Sequence, residues 1–241
     1  MNEITEGHIV RSFDQEMKRL HDDVMKIGNL VRDQLRHAVK ALETEDVEAA
    51  RAVIDRDQEV NELDIKIDDE IVHVIAKRQP LAKDLREILT VNKIGTDLER
   101  VGDEARKIAR LCIHFYDNNT TTPSDIIVSD MVKLSGFIDN MLDQAIRAYD
   151  ELDIDLAVDT IRKDLHLEAE TRGCLRRLST YIMEDSRTVG HVIETVLGLR
   201  ALERIGGHAK NIGGYVIFLV KGIDVRHDSL DDIVDELAAG R

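Results

Sequence analysis

Ala38-Val39-Lys40-Ala41-Leu42-Glu43 returns, in kind and in order, as Ala145-Ile146-Arg147-Ala148-Tyr149-Asp150. At the same offset Asp46-Val47 meets Asp153-Ile154, and Asp57 meets Asp164. After a small loop adjustment, Leu98-Glu99-Arg100-Val101-Gly102 returns as Leu202-Glu203-Arg204-Ile205-Gly206. A chain that restates itself in this way is a duplicated unit, and the fold of the unit is the fold of the whole.

The first copy reads as helix. Apolar residues fall at Ile9, Phe13, Met17, Leu20, Val24, Ile27, Val31, Leu35, Ala38 and Leu42, in steps of three and four. That spacing marks one face of a helix, which would be about 50 Å long. A second periodic stretch follows Thr44-Glu45-Asp46 and runs to about Lys77, with Val53, Val60, Ile67 and Val74 on one stripe. Arg78-Gln79-Pro80 breaks it, and Pro80 is expected to open the third helix, since proline suits a first turn. That helix passes through Leu85, Ile88, Leu98, Ala105 and Ile108 to about Tyr116. Asp117-Asn118-Asn119-Thr120-Thr121-Thr122-Pro123-Ser124 is the clearest loop. The pattern then restarts, with helices expected over about 125–151, 153–183 and 186–222. Ser186 is a candidate cap and Gly222 a candidate stop. The spacing predicts an all-α protein of two tandem three-helix bundles, over 1–118 and 119–223, with a polar tail over 224–241.

Composition agrees with this. Hydrophobic residues make up 43%, charged residues 34% and aromatics only 3%, with two prolines and no tryptophan. Strand-rich folds want aromatic and β-branched residues with frequent breakers. The formal charge of −15, from 48 acids against 33 bases, opposes nucleic-acid binding. Cys112 and Cys174 sit in apolar helical patterns without metal or redox spacing, so both read as small core residues in a reducing compartment. The first residues form no signal pattern, and the longest apolar run, Tyr215 to Val220, is far short of a membrane span. The expectation is a cytoplasmic protein with no membrane insertion.

No nucleophile, phosphate-loop or zinc-protease motif is present. Acidic pairs one helical turn apart recur instead at matching places. They are Glu99 with Asp103 and Asp164 with Glu168, whose repeat partners are Glu203 with Gly207 and Asp57 with Asn61. Like charges at this spacing repel, so a cluster of them wants a cation. Oxygen-only donors favour hard ions such as Mg²⁺, Mn²⁺, Ca²⁺ or ferric iron. The alternative is a solvated acidic face. Glu70 and His73 have the spacing of di-iron carboxylate bundles, but those need two such motifs and further glutamates, and the chain has one. His208 could join a site near Glu203 or serve in packing. Gly102 and Gly206 each cost ~1 kcal/mol inside a helix, which close helix–helix approach would explain.

Leu98-Glu99-Arg100-Val101-Gly102-Asp103-Glu104-Ala105, with Lys107-Ile108-Ala109, resembles the first signature of the PhoU family. Leu202-Glu203-Arg204-Ile205-Gly206-Gly207-His208-Ala209-Lys210-Asn211-Ile212 resembles the second. Arg78-Gln79-Pro80 with Asp84-Leu85-Arg86, Tyr181-Ile182-Met183-Glu184-Asp185, and Leu219-Val220-Lys221-Gly222 followed by Asp224-Val225-Arg226-His227 are similar to the family's turns and C-terminal end. The resemblance implies two three-helix bundles with metal-binding acidic motifs, here Asp57/Asn61, Glu99/Asp103, Asp164/Glu168 and Glu203/Gly207. Asn61 keeps an oxygen without a charge, and Gly207 supplies no side chain, so the second set would need His208 or water. Mg, Mn, Fe or Zn is the implied metal. The implied role is not catalytic: a homodimeric negative regulator of phosphate-starvation signalling. It would link the ATPase subunit of a phosphate ABC transporter to a sensor histidine kinase. A carboxylate-bundle metal-storage protein and a metal-free helical adaptor are the other readings.

Overall fold

The computed structural model describes residues 11–117, 123, 125–184, 189–226 and 228–239. Over these the chain forms α1 (Arg11–Thr44), α2 (Val47–Arg78), α3 (Lys83–Tyr116), α4 (Asp125–Glu151), α5 (Ile154–Glu184), α6 (Val189–Lys221) and α7 (Leu230–Ala238), with no strand among the described residues. Ile9, Ser186 and most of the expected loop after Asp117 lie outside them.

The periodic residues of α1 do what their spacing demands. Phe13, Met17, Leu20, Val24, Ile27, Val31, Leu35, Ala38 and Leu42 are all buried. Each large one contributes roughly 1.5–3 kcal/mol, which offsets a backbone ordering cost of ~1–2 kcal/mol per residue. The duplication reappears in the turns. Glu45 and Leu152 both adopt positive φ, at 58° and 53°. Asp46 then caps α2 by accepting from the Ala49 amide at 2.9 Å, and Asp153 caps α5 by accepting from Leu156 at 3.0 Å. The amides of Asp46 and Asp153 donate in turn to the carbonyls of Ala41 and Ala148 at 2.9 and 3.0 Å.

Helices α1, α2 and α3 pack on one another, and so do α4, α5 and α6. Between the bundles α1 packs on α4 and α3 on α6. The four helices α1, α3, α6 and α4 therefore ring the centre, with α2 and α5 each held within its own bundle. One apolar core runs through both bundles.

Two expectations change. Pro80 does not open α3, which begins at Lys83. Gln79 caps α2 in the left-handed region at φ 49°, and Ala82 is also at positive φ, 48°. Those two residues carry the reversal, so Pro80 sits where prolines commonly follow a left-handed C-cap. The tail, expected to be merely polar, contains α7, started by a Ser229–Asp232 capping box and packed on α5 with Ile233 buried. Its single apolar stripe is too short for the periodic reading to pick out among four acids. Gly222 is the expected stop of α6, with φ 81° and its amide bonded to the Phe218 carbonyl at 2.8 Å.

Candidate functional site

In the first bundle, Asp57 lies on the α2 face turned to α1 and α3, with a relative exposure of only 3%. A carboxylate so buried needs a counter-charge and hydrogen bonds, and it has both. Arg106 of α3 donates Nη1 to Asp57 Oδ2 at 2.5 Å, and Gln34 of α1 donates Nε2 to Oδ1 at 3.2 Å. The other nitrogen of the fork, Nη2, reaches Asp103 Oδ1 at 2.5 Å. Gly102 makes this convergence possible. A Cβ there would stand 3.1 Å from Gln34 Oε1, 3.3 Å from Val60 and 3.4 Å from Asp57 Oδ1. Close approach of three helices is thus the reason for that glycine.

Asn61 is half-buried one turn from Asp57. Glu99, also half-buried, has its carboxyl pushed above the usual range by burial and then by Asp103, Asp64 and Asp57. Burial and Asp68 push Asp64 the same way. The groove between α2 and α3 thus carries an acidic row that ends where Asn92 donates to Asp68 at 2.9 Å.

The second bundle differs in detail. Lys210 of α6 donates to Asp164 Oδ2 of α5 at 2.8 Å. Glu168 is exposed and pairs with Arg172 at 3.0 Å, one turn along its own helix. Glu203 pairs with Arg200 at 2.5 Å on α6. Gly207 faces open space, with nothing within 4 Å of a Cβ built there. His208 is bound to Asp97 of α3 at 2.6 Å across the junction between bundles.

The structure thus brings together Asp57 and Asp103, with Glu99 beside them, and gives Asp164, Glu168 and Glu203 separate basic partners. Among the described residues no group of three His, Cys, Asp or Glu is placed to hold a metal ion. A metal bridging Asp57 to Asp103, or one shared by Asp164, Glu168 and Glu203, does not fit this arrangement, because each of these carboxylates already has an oxygen paired with a guanidinium or an ammonium. Sequence reasoning passed over Arg106, Lys210 and Asp64. The signal for the first two was available: Arg106 follows Asp103 by three residues, and its repeat counterpart, Lys210, is also a base.

The junction between bundles is strongly polar at its rim. Arg32 of α1 donates to Asp139 at 3.1 Å and to Asp143 at 2.5 Å on α4, and Arg36 reaches Asp139 at 2.9 Å. Arg204 of α6 reaches the buried Glu104 of α3 at 3.0 Å. Cys112 and Cys174 are buried free thiols. Burial, helped by Asp46 and Glu45, pushes Cys112 up to about 11, far from a thiolate at neutral pH.

This architecture, with its duplicated motifs, has known counterparts. The chain matches the PhoU domain twice, over residues 24–112 and 131–216. It belongs to the PhoU family. The "Phosphate-specific transport system accessory protein PhoU" of Escherichia coli (strain K12) is 37% identical over 234 residues, covering 97% of this chain and 95% of the relative. The PhoU homolog of Pseudomonas putida, of the same description, is 38% identical over 230 residues, covering 95% and 89%. The crystal structure of PhoU from Pseudomonas aeruginosa superposes with a TM-score of 0.82 at 36% identity, over 88% of this chain and all of that one. The PhoU of Streptococcus pneumoniae shares the fold at 22% identity, with a TM-score of 0.79. Both PhoU domains contain their acidic motif and the base that answers it: Asp57 with Arg106, and Asp164 with Lys210.

Proposed function

We propose that this protein is an accessory regulator of phosphate transport that holds the phosphate-starvation response off when phosphate is plentiful. In this reading it acts as a cytoplasmic homodimer that docks on the ATPase subunit of the phosphate transporter and on a sensor histidine kinase, without catalysing a reaction. The observation that carries it is the match to both PhoU domains along nearly the whole length of relatives named as phosphate transport accessory proteins. The surface is consistent with docking. Ile65 and Val72 stand 61% and 67% exposed on α2, among the exposed acids Glu62, Asp68 and Asp69. Apolar studs in an acidic field suit a partner with a basic rim. No described helix is long and apolar enough to cross a membrane.

A strain lacking the protein and carrying a reporter for a starvation-induced phosphatase should express the reporter even in high phosphate. The tagged protein should recover the ATPase subunit or the kinase at low salt and lose them as salt rises, because exposed charges are screened beyond about 8–10 Å at physiological ionic strength. A fully repressed reporter, with neither partner recovered, would exclude this role.

A further inference from the structure

The first acid of the α2 motif and of the α5 motif, Asp57 and Asp164, is not simply open to solvent, and the way each is closed follows the duplication. Asp57 and Asp164 are repeat counterparts, on α2 and α5. The bases that reach them, Arg106 and Lys210, are counterparts as well, on α3 and α6, each three residues beyond the position of Asp103 or Gly207. From this we infer that each bundle supplies its own cation, Arg106 in the first and Lys210 in the second, at the place where a metal ion would otherwise bridge the helices.

The first clamp is the fuller one. The planar Arg106 fork spans carboxylates on two helices, Asp57 on α2 and Asp103 on α3, while Gln34 ties the same Asp57 to α1. Every helix of the bundle is joined at the buried Asp57 and the half-buried Arg106, as a bridging metal would join them. A guanidinium suits this position because it is always charged and presents two parallel donors. A divalent ion bound by Asp57 and Asp103 would have to stand where the guanidinium is, and like charges at that distance exclude each other. In the second bundle Gly207 offers no carboxylate opposite Asp164, and a single ammonium suffices for a single acid. The difference between the two cations thus follows the difference between the two acid sets.

The test uses the full chain, stripped with chelator, and reads thermal unfolding and Mn²⁺ binding by calorimetric titration. Three proteins are compared: wild type, Arg106→Met, which keeps most of the stem and removes the charge, and Arg106→Lys. Wild type should unfold at the same temperature with chelator or with millimolar Mn²⁺. Arg106→Met should unfold lower in chelator, recover in Mn²⁺, and bind Mn²⁺ at least about tenfold more tightly than wild type, or about 1.4 kcal/mol. Arg106→Lys should stay insensitive to the metal. Should Arg106→Met fail to fold, Arg106→Gln, which removes the charge but keeps a polar end beside Asp57 and Asp103, makes the same comparison. Equal Mn²⁺ affinity in wild type and variant, or a destabilised variant that no metal rescues, would overturn the inference.

Discussion

Glu16 shows how a single charge can secure a helix end in this protein. It is buried on α1, yet it accepts from Arg78 at 2.8 and 2.9 Å, at the last residue of α2. The hydrogen bonds from Arg78 outweigh burial and hold its carboxyl below the usual range, with Lys77 helping. A depressed carboxylate contributes stability above its unfolded value and loses it as pH falls through the folded one. Glu16→Gln should therefore cost stability at neutral pH, on the order of 1–3 kcal/mol for charged hydrogen bonds. In acid the gap should close, because the wild-type carboxyl is then protonated too. Melting curves from neutral pH down to the carboxylate range would show it, and a gap that persists in acid would mean the loss is one of packing. At this scale the sequence was only partly legible. Asp57, Glu99, Asp103 and their counterparts could be found from repetition, because duplicated chemistry leaves a register. Their partners could not: whether Arg106 points at Asp57 or into water depends on how α2 and α3 are rotated against each other, which the apolar stripe fixes only coarsely.

Within α6, two adjacent glycines have opposite surroundings. A Cβ on Gly206 would run into Leu167 of α5, whereas one on Gly207 would meet nothing within 4 Å. Gly207→Ala should stabilise the protein by about 0.5–1 kcal/mol, through helix propensity and a less flexible unfolded chain. Gly206→Ala should destabilise it, since α5 must move or Leu167 must leave its packed position. Chemical denaturation of the two variants measures both, and equal effects would contradict the packing described here. The existence and type of six long helices were readable because three- and four-residue steps repeat over many turns in each. Gly222 could be placed as a stop because a left-handed C-cap selects glycine. Pro80 misled because a reversal made by two non-glycine residues at positive φ, Gln79 and Ala82, has no compositional mark. Helix α7 escaped because nine residues carry too few turns to establish a period.

Taken whole, the molecule is less divided than its sequence. The duplication suggests two separable bundles, but His21 stacks on Tyr149 at 5.0 Å between α1 and α4, and Phe115 lies 5.9 Å from the His191 ring between α3 and α6. Buried residues of both halves form one cluster. Calorimetry should accordingly give one unfolding transition, with calorimetric and van't Hoff enthalpies equal. Two resolved transitions would show that the junction is too weak to couple the halves. This arrangement was out of reach of the sequence, because periodicity says which face of a helix is buried and not which of two bundles covers it. The matched turns at Glu45-Asp46 and Leu152-Asp153 have a practical corollary. They present the same hydrogen bonds to different neighbours within a single polypeptide, so each serves as the other's internal control. Replacing Asp46 in one copy and Asp153 in another compares identical chemistry at equal concentration, pH and salt. Any difference between the two must come from where in the molecule the turn is placed.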